Sequence, residues 1–117
     1  MSKTLFVDID GVIIHHQTIW SIHNSGILHG AQYQLLKWHN QGYKIILTTG
    51  RTEVMRKITE KFLVSQDILY DQLVMGLGSG VRILINDIDP KFPNVNKAVA
   101  INLTRNAGLV DMEDYGL

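Results

Sequence analysis

Short apolar runs alternate with amphipathic stretches along the chain. The runs at 4–9 ("TLFVDI") and 43–48 ("YKIILT") are rich in β-branched and aromatic residues, and each predicts a buried strand. The run at 81–86 ("VRILIN") predicts a further buried strand by the same criteria. Between the first two runs, residues 30–41 have helical spacing, and Gly42 follows them as a C-terminal cap.

A second helix is predicted over 52–66, where apolar residues recur at spacings of three and four and Thr52 is a candidate cap. Residues 70–75 predict at most a short edge strand, because only "GLGSG" separates them from 81–86 and a parallel crossover needs about a dozen residues. Residues 97–103 predict a last strand, 104–117 a terminal helix or tail, and 11–29 a loop with a small hairpin. The expected core members include Leu35, Trp38, Val54, Ile58 and Phe62.

Strands that alternate with helices favour an α/β fold with an open, mostly parallel sheet. The 117 residues suit one domain, 1–117, with one hydrophobic core. The formal net charge is zero, so nothing in the charge balance favours binding to nucleic acid or to an anionic membrane. No cysteine is present, and no apolar run is long enough for a membrane span or a leader peptide, so we expect a cytoplasmic protein.

Polar residues follow three of the apolar runs, at the point where each run ends. They are Asp8 and Asp10 after the first run, Thr49, Gly50 and Arg51 after the second, and Asn86, Asp87 and Asp89 after the third. The carboxyl ends of parallel strands share one edge of a sheet, and this edge is where ligands bind in α/β folds. Clustered carboxylates repel one another unless a cation lies among them, and a hard ion such as Mg²⁺ prefers oxygen ligands. The sequence therefore predicts a magnesium site at this edge.

Three motifs, "FVDIDGVI", "IILTTGR" and "ILINDIDP", resemble in order and spacing those of the haloacid dehalogenase-like (HAD) phosphatase superfamily. The resemblance covers residues 4–104. It implies a Rossmann-like three-layer sandwich with a mostly parallel sheet, and an aspartyl-phosphate mechanism. The wording of "VMGLGSGVRILINDIDP" and "AINLTRNAGL" is also similar to small HAD proteins from bacterial surface-sugar gene clusters.

The resemblance implies a role for each matching residue. Asp8 would be the nucleophile, and Asp10 would protonate the leaving oxygen and then activate water. Thr49 would hold a phosphoryl oxygen, with Thr48 as the alternative. Asp87 would bind Mg²⁺ together with Asp8 and the backbone carbonyl of Asp10. The division of labour is chemically reasonable, because a carboxylate nucleophile must stay ionised and the proton must therefore come from another group.

The chain departs from the family at the lysine that usually precedes the last acidic motif. The corresponding stretch, "MGLGSGVR", has no lysine. Arg82 lies about 16 Å along the predicted strand from Asp87, which is too far. Lys91 is the preferred catalytic substitute, with Lys97 and the amides of Gly78–Gly80 as alternatives.

No segment is long enough for the cap domain that many family members insert, so the resemblance implies a capless enzyme. Gly11, Gly50, Arg51, His15 and His16 are the remaining candidates for substrate contacts, although Arg51 could equally pair with a surface carboxylate. The segment 12–29, which includes Trp20 and His23, is the expected place for substrate contacts and for an oligomer interface that completes the site. The expected substrate is a phosphorylated sugar or another small phosphomonoester.

Two other function classes compete with this interpretation. A phosphorylation-dependent receiver domain has a similar length and fold, but its phosphorylated Asp follows the third strand, and here Thr49 occupies the central strand end. The order does not fit. A non-catalytic HAD-fold subunit, which binds a partner or a sugar phosphate without turnover, is compatible with the missing lysine. The presence of both Asp8 and Asp10 favours the enzyme, since a binding module needs no general acid.

Overall fold

The computed structural model describes residues 2–16 and 26–117, and the predicted contacts of Trp20 and His23 lie outside that part of the chain. The regular elements follow the alternating order that the apolar pattern predicts as far as residue 75. They are β1 (Thr4–Asp8), α1 (Ala31–Asn40), β2 (Lys44–Thr48), a 3₁₀ turn (Glu53–Met55), α2 (Arg56–Ser65), β3 (Gln72–Val74) and a second 3₁₀ turn (Met112–Tyr115).

The three strands form a parallel sheet in the order β1-β2-β3. The register pairs Val7 with Leu47, Leu47 with Leu73, and Asp8 with Thr48. This arrangement confirms a parallel α/β fold. It also confirms that the run at 70–75 contains a short edge strand.

Both helices pack on the same face of the sheet. Each crossover moves one strand further in the same direction, and right-handed crossovers of that kind place successive helices on one side. Consistent with this, the Gln32 side chain at the start of α1 donates to the backbone carbonyl of Gln66 just after α2 (2.7 Å). The core between the layers contains the register-aligned strand residues and the inward side chains of the helices, among them Val7, Leu47, Leu73, Leu35, Trp38 and Leu63.

The opposite face of the sheet is open in the described part of the chain. Alternation along the strands places Phe6, Ile46 and Val74 on this face, and Phe6 is 56% exposed. Parallel sheets are normally covered on both faces. Residues 2–16 and 26–117 thus form two layers, and they do not supply the second helical layer of the expected three-layer sandwich.

The prediction of strands at 81–86 and 97–103 is wrong for the single chain. Neither segment belongs to a strand, and the side chains of Val81 and Ile85 are 90% and 91% exposed. The reason is the length of the connection that follows β3. Residues 75–80 leave the carboxyl edge of the sheet, and six residues do not return the chain to the amino edge where a parallel strand must start.

The second predicted helix begins later than expected, and its buried face is rotated. The 3₁₀ turn precedes α2, and its tighter winding changes which positions face the sheet. Val54 is 91% exposed and Ile58 is also exposed, so their assignment to the core was wrong, whereas Thr59 and Leu63 are fully buried. Thr52 precedes the turn, but its side chain makes no capping hydrogen bond.

The C-terminal residues return to the body of the molecule. Leu109 and Met112 are buried in the core, and the Asn106 N–H donates to the Gly11 carbonyl (2.8 Å). Only the short 3₁₀ turn forms where a terminal helix or tail was predicted. Among the described residues, no helix combines the length and the apolar character needed to cross a membrane.

Candidate functional site at the carboxyl edge of the sheet

Asp8 ends β1 with an exposed side chain on the open face of the sheet. Thr48 is its register partner at the end of β2, and the Thr48 hydroxyl donates to Oδ1 of Asp8 (3.0 Å). The pairing follows directly from parallel register, because both strands end at the same level. An exposed carboxylate with one neighbouring hydroxyl has the remaining lone pairs available for a ligand.

Asp10 lies two residues further on and has a different environment. The Arg51 guanidinium donates hydrogen bonds to its carboxylate. Nη2 donates to Oδ1 (2.7 Å), and Nε donates to Oδ1 and Oδ2 (3.1 and 3.3 Å). The Thr49 hydroxyl donates to Oδ2 (2.8 Å) and accepts the Arg51 backbone N–H (3.1 Å). Arg51 and Thr49 are buried, whereas the Asp10 side chain is 25% exposed. Asp10 is therefore held in a fixed orientation at the rim of the site.

The chain turns away from the site at Gly11, which has a φ of 85° that L-residues rarely adopt. Beyond the turn, the His16 backbone N–H donates to the Asn106 side chain (2.7 Å), so the C-terminal segment borders this loop. His15 is exposed, and its ring lies 3.2 Å from the His16 carbonyl. A single antiparallel bridge joins Ile14 to Ile27, where a small hairpin was predicted.

Gly50 occupies a position with no room for a side chain. A Cβ there would lie 2.6 Å from the carbonyl oxygen of Gly78. The Leu77 N–H also donates to the Thr49 carbonyl (3.2 Å), so the chain that follows β3 passes closely over the loop after β2. This contact fixes the point at which the chain leaves the sheet.

Residues 79–102, which we name the arm, extend away from that point. Asp87 and Lys97 form an ion pair between the outgoing and the returning leg of the arm. The hydrogen bond from Lys97 holds the pKa of the Asp87 carboxyl below its ordinary value. Lys91 is exposed. Its backbone N–H donates a hydrogen bond to the Asp89 carboxylate (2.9 Å), so Asp89 stabilises the turn at this point. Arg82 donates to the carbonyls of Gly78 and Gly80 at the base of the arm.

One chain thus brings together Asp8, Asp10, Thr48, Thr49 and Arg51, but it does not bring Asp87 to them. Within residues 2–16 and 26–117, no group of three or more His, Asp or Glu side chains is arranged to hold a metal ion. Lys91 and Lys97 both lie on the arm, where Lys97 pairs with Asp87 and the Lys91 backbone N–H donates to Asp89.

Among the described residues, Arg51 is the cation that contacts these carboxylates, and its partner is Asp10. The lysine expected to balance the charge on Asp8 stays a separate prediction, as does a substrate contact of Arg51. The strand-end pattern contained the signal, because Arg51 follows the β2 motif directly. Similarly, Thr48 is the hydroxyl beside Asp8, whereas Thr49 is engaged with Asp10.

Comparisons with known proteins bear on the fold alone. No protein-family model matches the chain, and no curated protein matches it. A crystal structure of an MCSG target from Vibrio cholerae is similar, with a TM-score of 0.56 and 22% sequence identity. The match covers 80% of this chain and 89% of that one, so the similarity in fold extends over most of both proteins.

Proposed function

We propose that the protein is a phosphomonoester hydrolase of the haloacid dehalogenase type that acts through an aspartyl-phosphate intermediate. The observation that carries the proposal is the pair of carboxylates at the end of β1. Asp8 is exposed beside the Thr48 hydroxyl, and Asp10 is held two residues away by Arg51 and Thr49. The two carboxylates differ in environment: Asp8 is open to a ligand, whereas the orientation of Asp10 is fixed by its partners.

In this mechanism a carboxylate oxygen of Asp8 attacks phosphorus, and the bond from phosphorus to the ester oxygen breaks. Asp10 supplies the proton that the leaving oxygen takes up. Asp10 then accepts a proton from the water that attacks the acyl-phosphate, which releases inorganic phosphate and restores Asp8. The Thr48 hydroxyl donates a hydrogen bond at the site of attack, and Arg51 keeps Asp10 within reach of the reacting oxygen.

The family resemblance also implies Mg²⁺. The oxygen ligands of one chain do not complete the site that this ion would need. Asp8 and the backbone carbonyl of Asp10 would supply two of the three expected oxygen ligands at the end of β1. The side-chain oxygens of Asp10 add none, because both accept hydrogen bonds from Arg51 or Thr49. Asp87, the third expected ligand, is paired with Lys97 on the arm. No step is therefore assigned to a metal within a single chain, and magnesium dependence is a property that the experiment below measures.

The test is phosphate release from a panel of phosphorylated sugars, nucleotides and small acids, with Mg²⁺ and with chelator. Asp8→Asn should abolish release. Asp67→Asn is the matched control, because Asp67 is an exposed Asp that follows α2 at the amino edge, with a φ of 56° that Asn also tolerates. We expect the control to keep wild-type rates. Equal rates in Asp8→Asn and wild type would refute the mechanism.

A non-catalytic binding role is the second candidate, and the engagement of both Asp10 oxygens favours it. A carboxylate that is fully occupied by Arg51 and Thr49 is well suited to shaping a binding site. Absence of release from the whole panel, combined with saturable binding of a sugar phosphate to the folded protein, would establish this function instead.

A further inference from the structure

The arm exposes a long apolar surface. Its β-rich segment 81–86 is followed by further large side chains along both legs, and the exposed members are Val81, Ile83, Leu84, Ile85, Ile88, Phe92, Val95 and Val99. Contiguous exposed apolar residues of this extent mark an interaction surface in a folded protein.

The backbone of the arm is equally unpaired. Within the described residues, no backbone–backbone hydrogen bond joins residues 79–102 to the rest of the chain, and those inside the arm belong to the turn at 89–95. An extended apolar segment with open N–H and C=O groups is a strand that lacks its neighbour.

The sheet offers a matching surface. In the described residues, the strand pairing of β1 is with β2 alone, so its outer edge is open over Thr4–Asp8. Phe6, on the open face beside that edge, is 56% exposed. An added strand would satisfy the edge and cover part of this face at the same time.

The arm does not reach that edge within its own chain. A strand parallel to β1 on its outer edge must start about 16 Å below the carboxyl edge and about 10 Å across from β2, a straight line of about 19 Å. The contact between Gly78 and Gly50 holds the connection beside the end of β2. The three residue steps from Gly78 to Val81 span only about 10 Å when fully extended. For parallel addition, the acceptor must therefore be another molecule.

We propose that the acceptor is a second copy of this chain, and that residues 81–86 of one copy add as a parallel strand to the outer edge of β1 in the other. Connections too short to close on their own chain favour such an exchange, and reciprocal exchange gives a closed dimer. Parallel addition brings the carboxyl end of the arm segment to the carboxyl end of β1. Asp87 of one copy then lies beside Asp8 and Asp10 of the other.

This last consequence rests on the proposed function, and it explains why one chain holds an incomplete set of metal ligands. Asp87 leaves its partner Lys97 and contributes the third carboxylate to the site of the second copy. A hairpin of 81–86 on β3 of the same chain is the alternative that six connecting residues permit. It would place Asp87 at the amino edge, away from the site.

Cross-linking tests the exchange without any reference to activity. The chain has no cysteine, so Phe6→Cys and Ile85→Cys can each be the sole thiol of a differently tagged chain. The register that puts Asp87 beside Asp8 also puts residue 85 beside residue 6. Co-expressed and treated with a short bis-maleimide, the two chains should form a covalent heterodimer. Tyr33→Cys replaces Phe6→Cys as the control, since Tyr33 is 70% exposed on the helical face, and it should give none.

Subunit complementation tests the shared site. Asp8→Asn and Asp87→Asn should each be inactive alone. Co-expressed, they should recover about a quarter of the wild-type rate, because half of the dimers are mixed and each mixed dimer has one intact site. If wild type releases no phosphate, the proposed function fails, and the cross-link still decides the exchange.

Each outcome of the cross-linking has a definite meaning. A heterodimer together with a dimeric mass in solution supports the proposal. A monomeric mass without the cross-link refutes it, as does a cross-link that forms only inside one chain of the Phe6→Cys/Ile85→Cys double variant. A stable complex with an unrelated protein in place of the dimer would refute it as well.

Discussion

The guanidinium of Arg51 and the carboxylate of Asp10 form a partly buried, bidentate ion pair at the carboxyl edge of the sheet, with Nη2 and Oδ1 2.7 Å apart. Planar bidentate pairing fixes orientation as well as charge. Arg51 comes from the loop after β2 and Asp10 from the loop after β1. The pair therefore ties the two strand ends of the site together.

Replacement of Arg51 by Met should destabilise the protein by about 2 kcal/mol, because it leaves the Asp10 carboxylate without its charged partner. Arg51→Lys should lose less, since it keeps the charge but not the fork of donors. Chemical denaturation of the two variants measures the difference. Equal stability of Met and Lys variants would show that the bidentate geometry contributes nothing.

Substitution of the two adjacent threonines should have different effects on the stability of the protein. Thr49 is 1% exposed, and its hydroxyl both donates to Asp10 and accepts from the Arg51 backbone. Thr49→Val should therefore cost about 1–3 kcal/mol of unfolding free energy. Thr48→Val should change stability by less than about 0.5 kcal/mol, because Thr48 is only partly buried. Its effect should fall on phosphate release, since Thr48 contacts Asp8. Unfolding midpoints and release rates of both variants check this, and a reversed order would contradict it.

Gly50→Ala should cost about 1–3 kcal/mol, because the new Cβ would meet the backbone carbonyl of Gly78 and the chain would have to shift. Gly80→Ala is the matched control in the same glycine-rich region, where a Cβ meets nothing within 4 Å. Thermal unfolding of the pair measures the contrast. Equal stability of the two variants would show that the close approach of Gly78 to Gly50 contributes nothing.

The rotated face of α2 predicts a contrast between two apolar residues. Leu63→Ala should cost about 2–5 kcal/mol, because Leu63 is fully buried and its truncation leaves a cavity. Val54→Ala should change stability by less than about 0.5 kcal/mol, because Val54 is 91% exposed. Denaturant titration of both variants tests the assignment. A large loss in Val54→Ala would restore the helical face predicted from the sequence.

Tyr70 should make stability depend on alkaline pH. Burial raises the pKa of its phenol above the ordinary value of 10.0, and the nearby Glu60 adds to the shift. The folded state favours the neutral phenol, so this contribution is fully present below pH 10.0 and is lost as pH rises through the folded pKa. Tyr70→Phe should flatten that decline. The unfolding free energy of both proteins, followed from neutral to alkaline pH, measures it.

Local sequence was sufficient for the elements that depend on local periodicity. The strands at 4–8 and 44–48 and the helix at 31–40 lie where the apolar pattern predicts them, because burial of one stripe or run is a property of neighbouring residues. The same pattern identified the strand ends that carry Asp8, Asp10 and Arg51. Parallel register then brings those ends to one edge whatever the rest of the chain does.

The tertiary structure alone decided where the later segments go. The run at 81–86 has the composition of a buried strand, yet a strand parallel to the others must start at the amino edge, and the connection from β3 is too short to return there. Likewise, the exact partners of Asp10 depend on the packing of two loops that are 41 residues apart in the chain. Composition and periodicity describe what a segment can bury, whereas chain connectivity determines which surface is available to bury it.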